Sequence, residues 1–546
     1  MKNLLAINIE KMTSDEILAD NTFEELLSTK DEVEKTKIEL LLMKKAAELG
    51  VDKQYSKLLT AHKKKKNSKN SNDNHQNTAS DGYELLNGGP NLKKWHTFSD
   101  NGPTGVIDAF LANYITSHYH VFVASKMPYI YDGGVYRLDE TETKLKSIIE
   151  NLIYDRVVTI NIIDRVYRLI IANNSLQRSW EDWNNHPKHW INFKNGFFDP
   201  IEWKMLPHNP KYLSINQLPH EFDPGASHRG RSTQNFLDYA MPNKGDQEMF
   251  WQYYGYCMTT DTRFQKFLIF KGQGGTGKSQ LIHIADAIIG GENLSNISME
   301  QLNERFFPTM LLGKLLNTNA DIRSNALETT DGIKRATGED YLFAERKGKD
   351  GFSFKSYAKL LFSANEIPIT TEEKSEAIYR RMMIIKVDRK PTEDMKNINL
   401  EKDLTQEINY SIMKSCRALQ RLYQNGSFSE TESSVSNIEE LRMEADNIFA
   451  FLTERTKKMP GKSAKTSEMY EEYVKYCDDF GRKKVSLHSF HKNLKNKGYT
   501  KKRGSGGGYE VYEDVVLLDA NSLDVDENGF VKVDVDRQTE LPWKVQ

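Results

Sequence analysis

The alternation of apolar and polar residues changes character several times along this chain of 546 residues. Residues 1–61 are rich in helix formers, and the run VEKTKIELLLMKKAAELG ends at Gly50, a suitable helix C-cap. Residues 62–82 are polar, rich in Asn and Ser, and without a hydrophobic period, which predicts a flexible linker. Because the chain is too long for one hydrophobic core, several domains are expected.

Between residues 83 and 231 the pattern mixes strands and helices and contains many aromatic residues. YIYDGGVYR predicts a β-hairpin that turns at Asp132-Gly133, and WINFKNGFFDP predicts another that turns at Asn195-Gly196. We therefore expect an α+β domain here.

The second half of the chain divides into four further segments. Residues 232–399 join helical stretches to apolar strands, which indicates an α/β domain, and residues 400–445 predict a helical connector. Residues 446–518 predict two helices and then two strands around a glycine-rich turn, which is the order of a winged helix. Residues 519–546 form an acidic tail.

Composition narrows the class of protein. With 38% hydrophobic residues, 28% charged residues and a formal net charge of −2, a soluble protein without a uniformly basic surface is expected. The three cysteines lie far apart without His or Cys at ligand spacing, which excludes a zinc ribbon and a disulfide framework. No apolar stretch approaches the length of about 18 residues that a membrane span needs, so we expect no membrane partner and a cytoplasmic location.

The segment FQKFLIFKGQGGTGKSQLIHIADAIIG places a glycine-rich loop between a buried strand and a helix. This is the context of a phosphate-binding loop, in which backbone N–H groups surround a triphosphate. Lys278 would reach the β- and γ-phosphates of ATP, and the Ser279 hydroxyl would complete the shell of a Mg²⁺ ion. The expected ATP-binding residues are Gly272, Gly274, Gly275, Thr276, Gly277, Lys278, Ser279 and Gln280.

Two further strands carry candidates for hydrolysis. GKLLNTNADI is an apolar strand followed by Asp321, where a carboxylate can hold Mg²⁺ beyond the strand tip. Its neighbour is Ala320, so a second acid would have to come from elsewhere in the chain. KLLFSANEIP is another buried strand, and Asn365 at its end could orient the attacking water, although an Asn before Pro368 also suits an ordinary turn.

The segment between these strands predicts a basic hairpin. FAERKG and FSFK alternate around a Lys-Asp-Gly turn, which places Arg346, Lys347 and Lys349 near the tip. In a ring of subunits such tips would line a channel that follows a phosphate backbone, whereas a solvated hairpin fits the same pattern. Downstream, Arg380 or Arg381 could act as an arginine finger on a neighbouring subunit or form a surface salt bridge.

The winged-helix pattern supplies a second group of candidates for DNA binding. Positive charge falls on its second helix and at the entry to its glycine-rich turn, which favours contact with duplex DNA. The expected DNA-binding residues are Lys492, Lys495, Lys501, Lys502 and Arg503. A winged helix that contacts protein is the alternative, since no base-reading residue can be identified.

Taken together and in order, GQGGTGKS, NTNAD, IKRATGED, ERKGKDGFSF, FSANEIP and YRRMMIIKV resemble the ATPase module of superfamily 3 helicases. The likeness is to the phage and plasmid primase-helicase branch related to the poxvirus primase-helicase. It extends over about residues 100 to 400, since the two predicted hairpins also resemble the domain that precedes the motor in that branch. The resemblance suggests a replication protein of a Gram-positive phage or a staphylococcal genomic island.

The resemblance implies an α/β fold with an AAA+ P-loop ATPase core of the superfamily 3 type, an N-terminal α+β domain and a C-terminal winged helix. It also implies a homo-hexamer that moves 3′ to 5′ on single-stranded DNA. The roles carried over by position are ATP and Mg²⁺ binding for Lys278 and Ser279, the acidic strand end for Asp321, the sensor for Asn365, DNA translocation for Lys347 and Lys349, and the trans finger for Arg380 or Arg381.

These observations predict an ATP-driven hexameric helicase that unwinds duplex DNA for the replication of a phage or mobile genetic element. The alternative is an ATP-switched, origin-binding initiator that assembles on or melts DNA without processive unwinding. A small-molecule or polynucleotide kinase would leave the basic hairpin and the winged helix unexplained. The first 100 residues contain no strand with an Asp-x-Asp pair, so no primase activity is expected, and a separate primase or polymerase is a further candidate partner.

Overall fold

The computed structural model describes residues 9, 12–19, 22–23, 26, 32–59, 92–320, 322, 330–345, 351–367, 376–504 and 508–518. By its internal contacts the chain forms two units, Met1–Asn87 and Gly88–Gln546. The finer boundaries inferred from the sequence stay predictions. Among the helices in the described ranges, none combines the length and apolar character that crossing a membrane requires.

The first unit is helical. Its described helices are α1 Ser14–Ile17 and α2 Glu32–Glu48, followed by a helical stretch over residues 52–59. Ile17, Phe23 and Tyr55 are completely buried in a small core of their own.

The second unit begins with a mixed region of short strands and helices. Its elements are β1 His96–Ser99, β2 Gly102–Val106, α3 Asp108–His118, β3 Val121–Ala124, β4 Met127–Asp132, β5 Val135–Leu138, α4 Thr143–Asn151, α5 Ile160–Ile171, β6 Ile191–Phe193, β7 Gly196–Asp199 and β8 Lys204–Leu206. The strands form antiparallel sheets of two or three strands, which agrees with the α+β content expected of this segment.

Both predicted hairpins form, but each turn lies one residue away from its predicted place. Asp132 pairs with Val135, so the first turn is Gly133-Gly134, and both residues have positive φ as a tight turn demands. Phe193 pairs with Gly196, so the second turn precedes Gly196. A Cβ on Gly196 would lie 2.6 Å from the Leu206 carbonyl oxygen, and this glycine therefore serves close strand approach rather than the turn.

A parallel sheet forms the centre of the second unit. Its five strands lie in the order β10 Leu294–Ser295, β11 Leu316–Asn319, β14 Lys359–Ala364, β9 Phe267–Lys271 and β15 Met382–Lys386. The elements of this region are α6 Arg231–Ala240, α7 Lys244–Cys257, β9 Phe267–Lys271, α8 Lys278–Ile289, β10 Leu294–Ser295, β11 Leu316–Asn319, α9 Asp331–Thr337, β12 Tyr341–Ala344, β13 Phe352–Lys355, β14 Lys359–Ala364, α10 Glu376–Tyr379 and β15 Met382–Lys386. The α/β class is confirmed by this parallel sheet, while the AAA+ assignment stays a prediction.

The apolar runs of β9 and β15 follow from burial on both faces of the sheet, whereas β11, LNTN, is mostly polar although its first three residues are buried. Along β9, Leu268 and Phe270 join one core cluster, and Phe267 and Ile269 join the other. Successive side chains of a strand point to opposite faces of the sheet. A strand without polar residues therefore requires that both faces of the sheet are buried.

Helices pack tightly over one of these faces. Tyr254 of α7 donates a hydrogen bond of 2.5 Å to the Leu281 carbonyl oxygen, and Tyr253 donates one of 2.6 Å to that of Leu360. The region after the sheet is helical, with α11 Leu400–Gln406, α12 Ile408–Asn425 and α13 Glu432–Ala445. A Cβ on Gly255 would lie 2.5 Å from the Ser415 carbonyl oxygen, so α7 and α12 approach closely.

The C-terminal region contains more elements than the two helices and two strands that the sequence predicts. Its elements are α14 Asn447–Arg455, β16 Thr456–Lys465, α15 Thr466–Asp479, α16 Leu487–Asn496, β17 Lys501–Arg503 and β18 Glu510–Leu517. The three strands form an antiparallel sheet in the order β16-β18-β17. Strand β16 was missed because its sequence, TKKMPGKSAK, is polar and contains Pro and Gly, whereas an edge strand tolerates both.

Candidate functional site

The glycine-rich loop lies at the carboxyl end of strand β9, which is paired between β14 and β15. It leads directly into α8, which begins at Lys278 with Gly277 as its N-cap at φ +95°. The N–H groups in the first turn of a helix have no partner within the helix, so this end favours an anion. Strand, loop and helix therefore take the arrangement that the sequence predicts.

The loop glycines fall into two groups. A Cβ on Gly272 would lie 2.1 Å from the Val387 carbonyl oxygen, and one on Gly277 would lie 2.9 Å from the ring of Phe236. Cβ atoms on Gly274 and Gly275 would meet no atom within 4 Å. The first pair is required by packing, whereas the second pair faces open space in which phosphate groups can be accommodated.

Lys278 is brought together with Asn365 at this edge. Its side chain is only 8% exposed, and Nζ donates a hydrogen bond of 3.1 Å to Asn365 Oδ1. Nζ also lies 2.5 Å from the Gly272 carbonyl oxygen and 2.9 Å from that of Gln273. Because Asn365 follows β14, which pairs with β9 in parallel, two distant segments of the sequence meet at one ammonium group.

The remaining loop residues differ in their exposure. Thr276 is buried, and its hydroxyl donates a hydrogen bond of 3.0 Å to the Gln273 carbonyl oxygen, which holds the loop closed. Ser279 is exposed and free to meet a ligand at the start of the helix. Gln280 is half-buried, and its Oε1 is a buried acceptor without a hydrogen-bond partner among the described residues.

The predicted acid, Asp321, lies outside the described residues. The strand that precedes it, β11, pairs in parallel with β14, beside the strand that carries the loop. Within the described ranges, no three His, Cys, Asp or Glu side chains cluster as a metal site would require. The Mg²⁺ ligands Ser279 and Asp321 stay predictions.

Two residues that pack against the loop or lie in its helix were missed by the sequence analysis. The Phe236 ring packs against Gly277, and Asp286 of α8 accepts a hydrogen bond of 2.9 Å from the Thr318 hydroxyl of β11. Burial raises the pKa of Asp286. Asp286 lies eight positions after Lys278 in the helix, a spacing that could have marked it as facing the sheet.

The two arginines lie at the opposite edge of the sheet. They precede Met382, which pairs with Phe267 at the amino end of β9, whereas Lys278 follows the carboxyl end. Arg380 is exposed. Arg381 is 7% exposed, donates a hydrogen bond of 2.9 Å to the Ala377 carbonyl oxygen, and has its pKa lowered by burial.

The predicted basic hairpin is described only in its strands. Strands β12 and β13 are antiparallel, and Ala344 pairs with Phe352 at the end nearest the tip. The tip residues Arg346, Lys347 and Lys349 lie outside the described residues, so their role stays a prediction.

The predicted DNA-binding residues of the C-terminal region divide into two that form ion pairs and three that form none within the described residues. Lys501 lies 3.0 Å from Glu510, and Lys502 lies 2.7 Å from Glu513, so the charge of both is opposed by a carboxylate. Lys492, Lys495 and Arg503 are exposed. The predicted basic stretch is therefore less positive than the sequence suggests.

Two parts of the chain match known protein families. Residues 270–381 match a family of unknown function (DUF5906), and residues 443–525 match the poxvirus D5 protein-like family. The first match covers the phosphate loop and ends at Arg381, and the second covers the C-terminal sheet.

Two curated relatives match at low identity. A putative helicase, L207/L206, of Acanthamoeba polyphaga mimivirus is 24% identical over 213 residues, which is 36% of this chain and 21% of the relative. The DNA primase-polymerase of Nitratiruptor phage NrS-1 is 25% identical over 143 residues, which is 26% of this chain and 20% of the relative. The chain thus spans about a fifth of the length of each. With the D5 match, they point to phage and viral primase-helicase proteins.

Solved structures of the NrS-1 C-terminal region also align with the chain. An A form apo structure gives a TM-score of 0.44 at 13% identity over 74% of this chain and 98% of that chain. An apo structure of residues 305–718 gives 0.42 at 14% identity over 75% and 99%.

Proposed function

We propose that the chain is an ATP-hydrolysing DNA helicase that unwinds duplex DNA as a homo-hexamer during the replication of a phage or mobile genetic element. The observation that carries the proposal is the contact between Lys278 Nζ and Asn365 Oδ1 at the mouth of a phosphate loop. The two side chains hold a positive charge and a polar amide where a terminal phosphate and its attacking water would meet.

The site fits a nucleoside triphosphate with Mg²⁺. Gly274 and Gly275 leave space beside the loop, Lys278 supplies a buried cation, and the exposed Ser279 hydroxyl lies one residue beyond it. ATP would supply the energy of phosphoryl transfer, while Lys278 would stabilise charge on the γ-phosphate and Asn365 would orient water.

The arginines support a site shared between subunits. Arg380 is exposed but lies at the amino edge of the sheet, across the strands from Lys278 of the same chain. In a ring it would serve the neighbour's nucleotide, so we assign the trans finger to Arg380. Buried Arg381 instead holds the start of β15. The AAA+ core, the superfamily 3 type and movement from 3′ to 5′ belong to this proposal.

Strand displacement on a forked DNA duplex tests the proposal. The wild-type protein with ATP should release the labelled strand, and Lys278→Ala should not, while Lys402→Ala, an exposed lysine on α11, should behave as wild type. The proposal fails if Lys278→Ala displaces the strand as fast as the wild-type protein.

The ATP-switched, origin-binding initiator is the second candidate. The exposed Lys492, Lys495 and Arg503 of the C-terminal region favour it, because positive charge on a compact module can hold duplex DNA without a motor. Hydrolysis of ATP and binding of duplex without any strand displacement would favour this role.

A further inference from the structure

The edge strand β16 is interrupted by a protrusion that the sequence analysis did not anticipate. Lys458 pairs with Val515, and Ser463 pairs with Glu513, so residues 459–462 stand opposite Asp514 alone. We call residues 457–462 the basic bulge. Strand β16 lies at the edge of its sheet, and residues 459–462 are all exposed.

The basic bulge has a fixed shape. The Gly461 N–H donates a hydrogen bond of 2.7 Å to Asp514 Oδ1. Gly461 has φ +76° and Asp514 has φ +54°, so both sides of the protrusion adopt the left-handed conformation. A loop held in this way loses little conformational entropy when a partner binds.

Positive charge on the basic bulge is uncompensated. Lys457, Lys458 and Lys462 are exposed, and they form no ion pair with another residue in the part of the chain that the structure describes. The nearest acid along the partner strand, Asp514, is engaged by the Gly461 N–H. The entry to the glycine-rich turn differs, since Lys501 and Lys502 each face a glutamate.

The bulge adjoins the end of helix α16. Lys458 Nζ lies 5.7 Å from the centre of the Tyr499 ring, and the Tyr499 N–H donates a hydrogen bond of 3.0 Å to the Leu494 carbonyl oxygen of that helix. Lys495, which is exposed on α16, follows Leu494. The Lys458 end of the bulge therefore lies beside the C-terminal end of α16.

The middle of the bulge is apolar. Met459 is 42% exposed, and Pro460 beside it is exposed as well. Met and Pro are among the residues that proteins insert between base steps in the minor groove, with flanking cations on the phosphates. Lysine and proline also protect edge strands from pairing with other chains, but that role does not require an exposed Met on a fixed loop.

We propose that the basic bulge binds duplex DNA, with its three lysines on backbone phosphates and Met459-Pro460 in the minor groove. This inference rests on DNA being the partner in the proposed function. It moves the main duplex contact of the C-terminal region from Lys501 and Lys502 to strand β16.

Fluorescence anisotropy of the full chain with a labelled duplex, without ATP, tests the lysines. The triple variant Lys457→Ala, Lys458→Ala, Lys462→Ala should bind at least tenfold more weakly. The slope of log K against log salt should become shallower by about 0.9 for each phosphate that the variant no longer neutralises. The control Lys475→Ala, Lys483→Ala, Lys484→Ala removes three exposed lysines from the same region, of which Lys475 pairs with Glu472 and Lys484 with Asp478, and should bind as wild type. A triple variant that binds the duplex with wild-type affinity and salt slope overturns the inference. If such a variant also self-associates, the lysines serve only to protect the edge strand from pairing with other chains.

Energy transfer between dyes at the two ends of the duplex tests the apolar residues. Wild-type protein should shorten the distance, since inserted side chains kink DNA by about 20–90°. The double variant Met459→Ala, Pro460→Ala should bind the duplex without kinking it. If the double variant shortens the distance between the dyes as much as the wild-type protein does, groove insertion by these two residues is refuted. Neither DNA-binding experiment uses ATP. A negative result in them therefore concerns the basic bulge, and the proposed function is tested separately by ATPase and strand-displacement assays. A wild-type protein that binds no duplex overturns this inference alone.

Discussion

The carboxyl and amino ends of the strands in the parallel sheet differ in how their candidate functional side chains are arranged. At the carboxyl edge, Lys278 and Asn365 already touch, and the loop around them is held by its own hydrogen bonds. At the amino edge, Arg380 is exposed, while Arg381 is buried against backbone. Under the proposed function, Lys278 and Asn365 serve the nucleotide of their own subunit, and Arg380 serves that of a neighbouring subunit.

After the loss of Lys278 itself, removing Arg380 should have the largest effect. Arg380→Ala should lower ATP turnover of the assembled protein by about 10³-fold, because a trans finger stabilises charge that develops in the transition state. Steady-state phosphate release measures it. Arg381→Ala, its matched control, should instead lower the melting temperature. If Arg380→Ala leaves turnover unchanged, the amino edge has no part in hydrolysis.

Removing Asn365 tests the carboxyl edge. Asn365→Ala should lower turnover by about 10²-fold, since it removes one polar group from the position of the attacking water. Binding of a fluorescent ATP analogue should change little because Lys278 stays in place. Loss of nucleotide binding together with turnover would show that Asn365 is needed to shape the site and does not act as a sensor.

The two groups of loop glycines offer a prediction about stability. Gly272→Ala should lower the free energy of unfolding by about 1–3 kcal/mol, because its Cβ would overlap the Val387 carbonyl oxygen. Gly274→Ala adds the same methyl group into open space and should leave stability nearly unchanged. Urea denaturation of both variants measures the difference, and equal losses would contradict the assigned packing.

The smallest effect is expected where a predicted DNA contact is already paired. Lys502→Ala should weaken duplex binding by less than about twofold, since its ammonium group faces Glu513 and a surface pair of this kind contributes little. Lys495→Ala, an exposed lysine on α16, should weaken it more. Equal losses in anisotropy titrations would mean that DNA separates Lys502 from Glu513.

Features set by the local sequence were predicted better than features that depend on contacts between distant segments. The order of strand, glycine loop and helix around Lys278 is encoded locally, so it could be inferred from the residues alone. The position of Asn365 at the end of a buried strand made it a candidate for the same site, but its contact with Lys278, 87 positions away, depends on how the two strands pair in the sheet. The pairing of Lys501 with Glu510 depends on the register of two strands, which charge counting does not reveal.

Strand β16 shows the other limit of sequence reasoning. Its polar residues, Pro460 and Gly461 are typical of a loop, and only the neighbouring strand β18 makes it part of a sheet. The sequence also could not show that Arg381 is buried while Arg380 is exposed. Two adjacent arginines are equivalent in the sequence, and only the tertiary packing distinguishes them.

ATP turnover with and without single-stranded DNA tests the central claim most directly. The account predicts that DNA raises the turnover of the wild-type protein and that Lys278→Ala abolishes turnover under both conditions while circular dichroism shows an intact fold. Hydrolysis that persists in Lys278→Ala would contradict the claim that this phosphate loop is the motor site.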